Sequence, residues 1–89
     1  MAVSGQITVT TAGTEVRGTS VPCEAVYIKG MGANTGYIYV GEDTGAVSST
    51  TGYELDAGDQ ILIRGIKNLN QLWFDASVSG EKACWIVAE

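Results

Sequence analysis

The chain has 89 residues, ten acids against five bases for a net charge of −5, and no histidine. That length makes one domain, with no room for a second core. Without histidine the Ser-His-Asp, Cys-His and multi-histidine metal sites are all excluded, and five scattered cations form no cluster for nucleic acid or anionic membrane.

Met1, Ala2, Val3, Ser4, Gly5 and Gln6 carry no periodic pattern, so residues 1–6 are expected to form a flexible arm that orders only on binding. The domain proper then spans 7–89. Its first strand, Gln6–Thr10, places Ile7 and Val9 on one face and threonines on the other. After a turn at Thr11–Thr14 comes a weaker strand around Val16, broken by Pro22, which cannot donate within a sheet interior. Cys23–Lys29 resumes the alternation, with Val26 and Ile28 opposite Ala25 and Tyr27. Gly30–Gly36 reads as a loop. Three glycines there suggest a phosphate cradle, but the Gly-Lys-Ser/Thr ending and the following helix are missing, and that reading is discarded.

Tyr37–Val40 is the clearest strand, with Ile38 and Val40 facing in and both tyrosines facing out. Gly41–Thr51 is polar, with only Val47 to bury. Tyr53–Leu55 leads to the turn Asp56–Asp59. The nearly all-apolar run Gln60–Arg64 follows, as expected of a strand covered on both faces or placed centrally. Asn68–Asn70 marks a corner, Leu72 and Phe74 point inward, Ser77–Gly80 turns the chain, and Lys82–Val87 closes it with Trp85 in the core. No window carries apolar residues at helical spacing behind a cap. Seven to eight short strands with frequent turns predict an all-β fold, a small antiparallel β-sandwich of jelly-roll-like or immunoglobulin-like order.

The carboxylate pairs Asp56/Asp59 and Glu42/Asp43 flank turns, where Asp serves backbone hydrogen bonding, and neither matches a calcium loop. No metal or other cofactor is expected. Cys23 and Cys84 are too few for zinc, and spacing alone does not decide whether they pair. The N-terminus lacks a basic segment leading into an apolar one, so a reducing cytoplasm and free thiols are expected. Tyr27, Tyr37, Tyr39 and Trp73 lie opposite the aliphatic faces. Such aromatics can cover a second core layer, anchor a protein interface or stack on sugar.

The segments Thr10–Thr14, Ser20–Cys23, Asn34–Gly41, Gly52–Asp59, Asn68–Asn70 and Asp75–Glu81 occur in an order that resembles small structural proteins of tailed bacteriophages. The resemblance implies a virion component assembled in the host cytoplasm: a capsid decoration or cement protein on the major capsid protein, or a head-fibre or tail module that binds host-surface carbohydrate or receptor. It implies no catalytic residues. A structural role of this kind needs no enzyme activity, avoids nucleic acid and membrane, and suits a homo-oligomer such as a trimer. The candidate interface is the arm, Met1 to Gln6, with Tyr27, Tyr37, Tyr39 and Trp73.

Overall fold

A computed structural model describes residues 3–42 and 47–89. Among these residues eight strands form two four-stranded antiparallel sheets. They are β1 (Ser4–Val9), β2 (Val16–Arg17), β3 (Ala25–Gly30), β4 (Ile38–Gly41), β5 (Tyr53–Leu55), β6 (Gln60–Arg64), β7 (Trp73–Ala76) and β8 (Glu81–Val87). Sheet A has the order β1-β8-β3-β6 and sheet B the order β2-β7-β4-β5. The pairs β1–β8, β2–β7, β3–β6 and β4–β5 are each hydrogen-bonded neighbours, so the chain is a long antiparallel hairpin folded over on itself. That winding is the jelly roll, and it separates this sandwich from the immunoglobulin order.

The alternation that defines each strand also builds the core. Ile7, Val9, Val26, Ile28, Ala83 and Trp85 of sheet A meet Ile38, Val40, Leu55, Phe74 and Ala76 of sheet B. Val9, Val26, Ile28, Ile38 and Phe74 are wholly buried or nearly so, each contributing about 1.5–3 kcal/mol. The chain passes from sheet B to sheet A through the turn Asp56–Asp59. There Asp59 Oδ2 accepts from the Asp56 N–H at 3.1 Å, and Gly58 takes φ +87°. Gly58 N–H also donates to the Gly30 carbonyl at 2.9 Å, tying this corner to β3.

Between β6 and β7 the corner tightens into a single 3₁₀ turn, Leu69–Gln71. Asn68 Oδ1 accepts from Asn70 N–H and from Val21 N–H, and Gln71 Oε1 accepts from Asn68 N–H. These reciprocal bonds satisfy the turn's first amides and hold the Pro22 segment against it.

Two expectations change here. Residues 4–6 do not belong to a flexible arm: Ser4, Gly5 and Gln6 form the first half of β1 and pair with Ile86, Trp85 and Cys84. Backbone pairing on a sheet edge needs no apolar pattern, and Gly5 leaves room for the Trp85 ring, which a Cβ would approach to 2.7 Å. Val3 extends the contact by accepting from Val87 N–H at 2.8 Å. Met1 and Ala2 lie outside the described residues. The second change concerns β6, which is an edge strand of sheet A and not a central one. Ile61 and Ile63 turn toward the core and Leu62 outward, so each face of this edge carries apolar groups.

Candidate functional site

The two outer faces of the sandwich differ sharply. On sheet B the outward positions are Arg17, Trp73, Asp75, Tyr39, Gly41 and Glu54, and most are covered. Tyr39 faces outward as expected, yet it is only 6% exposed. The segment Val47–Gly52 crosses above it: a Cβ on Gly52 would stand 2.6 Å from the Tyr39 Cβ, and Val47 N–H donates to Glu15 Oε2 at 3.3 Å. Burial first, and the Glu54 carboxylate second, push the Tyr39 phenol above its ordinary range. Trp73 is half-buried beneath the Arg17 guanidinium, 5.6 Å from the ring centroid, while Arg17 Nε donates to the Asn70 carbonyl at 2.7 Å. Asp75 is buried, and its Oδ1 accepts from Gly13 N–H and Ala76 N–H.

Sheet A is open. Its outward positions are Ser4, Gln6 and Thr8 on β1, Lys82, Cys84 and Ile86 on β8, Ala25, Tyr27 and Lys29 on β3, and Gln60, Leu62 and Arg64 on β6. Cross-strand register sets Ile86, Tyr27 and Leu62 side by side in an apolar row. Tyr27 is 40% exposed and Ile86 42%. The adjoining row runs Gln6, Cys84, Lys29, Gln60. Ile86 and Tyr27 of the first row and all of the second line a shallow depression of about 340 Å³, walled by Ser4 and Gln6 on one side and Tyr27, Lys29 and Gln60 on the other.

Charge separates the faces as well. Lys29, Arg64 and Lys82, three of the five cations, occupy outward strand positions of sheet A, and no acid does. The nearest acids along β3 and β6, Glu24 and Asp59, precede those strands. A chain of net charge −5 thus presents one basic face with an apolar centre.

The four candidate aromatics do not share a surface. Tyr27 stands on the open face of sheet A, Tyr39 and Trp73 are on the covered face of sheet B, and Tyr37 precedes β4, where its N–H donates to Ser77 Oγ at 2.8 Å. Of the residues expected in the arm, Ser4, Gly5 and Gln6 border the depression beside Tyr27. Sequence reasoning missed Leu62, Ile86, Lys29, Lys82 and Arg64 as members of one face. The alternation Lys82-Cys84-Ile86 marks its own strand, but joining it to Tyr27 and Leu62 requires the sheet order.

The glycine loop discarded as a phosphate cradle does hold an anion, one belonging to the chain. Glu81 Oε1 accepts from Thr35 N–H at 2.9 Å, Thr35 Oγ1 at 2.9 Å and Gly36 N–H at 3.0 Å. The cysteines are unbridged: Cys23 lies in the core, where burial pushes its thiol up, and Cys84 on the open face. Among the described residues no group of three or more His, Cys, Asp or Glu could hold a metal ion, and no helix is long and apolar enough to cross a membrane.

No family model, curated protein or solved structure matches this chain.

Proposed function

We propose that the chain is a structural component of a tailed-phage virion, a decoration or cement protein that docks on the head lattice through the outer face of sheet A. The observation that carries this reading is the row Ile86–Tyr27–Leu62, with Ile86 and Tyr27 exposed and Leu62 half-buried, set among Lys29, Arg64 and Lys82. An exposed aromatic flanked by aliphatic groups supplies binding area at low entropy cost, and the surrounding cations select an acidic partner surface. The jelly-roll order, common among viral capsid and lectin domains, is compatible with this role, although a fold carries no chemistry by itself. The order of turn segments that resembles small tailed-phage proteins points the same way. Many copies on a repeating lattice would make a weak single contact effectively tight.

Co-sedimentation with purified phage heads tests the reading. Tyr27→Ala, on a surface side chain, is expected to keep the fold and weaken attachment about tenfold or more. Attachment of the unaltered protein is expected to fall as salt rises, since Lys29, Arg64 and Lys82 border the apolar row. Tyr27→Ala protein that binds heads as well as the parent rules out this face.

A second reading follows from the polar walls of the depression. Ser4, Gln6, Gln60 and Lys29 around Tyr27 offer donors and acceptors beside an aromatic ring, an arrangement that suits a sugar in a fibre or tail module. Tyr27 ring resonances that move on adding a glycan, with no attachment to heads, would favour it.

A further inference from the structure

From the free edge of β6 we infer that two copies of this chain pair through Gln60–Arg64, antiparallel about a two-fold axis at Leu62, so that sheet A continues from one copy into the next. The backbone argument comes first. Gly65 N–H donates to Glu24 O and Gly30 N–H to Asp59 O, which fixes the alternation of the β3–β6 ladder. Residues 61 and 63 therefore turn their amides and carbonyls toward β3, and Gln60, Leu62 and Arg64 turn theirs toward the free edge. Among the described residues that edge meets no backbone partner. An antiparallel partner centred on Leu62 matches Gln60 with Arg64 of the second copy and Leu62 with itself. Each copy then offers three N–H and three C=O groups in mutual register, and all of them are satisfied.

The side chains agree with that register. On the outer face no like charges oppose one another, because Arg64 meets Gln60. On the inner side Ile61 meets Ile63, and the half-buried flanks of both isoleucines are covered. The other edges differ from β6. β2 has two residues and β5 three, while β1 carries no apolar side chain at its outward positions Ser4, Gln6 and Thr8. β6 has five residues, no proline, no bulge and an Ile-Leu-Ile centre, a combination that natural edge strands avoid unless they pair. Identical edges pair only by a two-fold axis, so this contact gives a dimer. The pairing stands independently of what the open face docks on, but it doubles that face: Ile86, Tyr27 and Leu62 of one copy run on into Leu62, Tyr27 and Ile86 of the other.

Sedimentation equilibrium tests the pairing. The unaltered chain is expected to weigh twice 9.3 kDa and to dissociate on dilution. Leu62→Lys sets two ammonium groups opposite each other at the axis, and Leu62→Pro removes the outward N–H while sparing the bonds to β3. Both are expected to sediment at 9.3 kDa with the parent's circular dichroism. A parent that stays at 9.3 kDa up to about 1 mM, the weak limit of association, overturns the proposal. So does a dimer that both variants, still folded, leave intact.

Discussion

Glu81 lies on the inward side of β8, opposite Val9 and only 6% exposed. Burial pushes its carboxyl up, but three donors from Thr35 and Gly36 outweigh that push and hold it below its ordinary value of 4.5. A carboxyl depressed in this way stabilises the fold at pH values above its unfolded pKa. That contribution is lost as pH falls through the lower, folded value. Glu81→Gln keeps the shape and loses the charge, so it is expected to cost about 1–2 kcal/mol at neutral pH. The gap to the parent should close in acid, where the parent's carboxyl is protonated too. Urea unfolding at neutral and acid pH measures both. A charged residue directly after a turn gives no sign in sequence that it will be buried, because its donors come from a loop 45 residues earlier in the chain.

At the level of elements, period-two alternation made most strands legible. Ile7 and Val9, Val26 and Ile28, and Ile38 and Val40 all face the core as their spacing requires. Alternation gives the side of a strand and says nothing of what lies beyond it. Tyr39 is outward and still buried, because a distant segment, Val47–Gly52, lies across it. The apolar run of β6 was ambiguous for a related reason: a strand apolar on both sides can be central or can await a partner. The covering segment makes Gly52 sensitive. Gly52→Ala places a methyl against Tyr39 Cβ, and the displacement is expected to cost about 1–3 kcal/mol. The Tyr39 phenol should then titrate nearer its ordinary 10.0, since burial is the main cause of its rise. Spectrophotometric titration of parent and variant reads the change.

For the whole molecule, the nested winding joins the two ends of the sequence. β8 stands between β1 and β3, so the last strand completes the middle of sheet A. Removing residues 81–89 takes out Ala83 and Trp85 from the core and exposes an edge on each of two strands. That truncation is expected to abolish cooperative unfolding and to collapse the dispersion of the amide NMR spectrum. Loss confined to the final residues, Ala88 and Glu89, should leave the spectrum dispersed. The sandwich class was legible from strand count and turn spacing, whereas the winding depends on pairings between distant segments such as Gln6 with Cys84. The open face was legible only in fragments for the same reason, since its row of Ile86, Tyr27 and Leu62 draws on three strands far apart in sequence.

The two tryptophans divide between the layers. Trp85 packs over Gly5 inside sheet A, with an indole N–H that has no partner among the described residues, whereas Trp73 lies half-covered by Arg17 on the far side of sheet B. Each indole therefore reports on a different layer, and one fluorine label apiece would let the two halves be watched separately as the molecule assembles or melts.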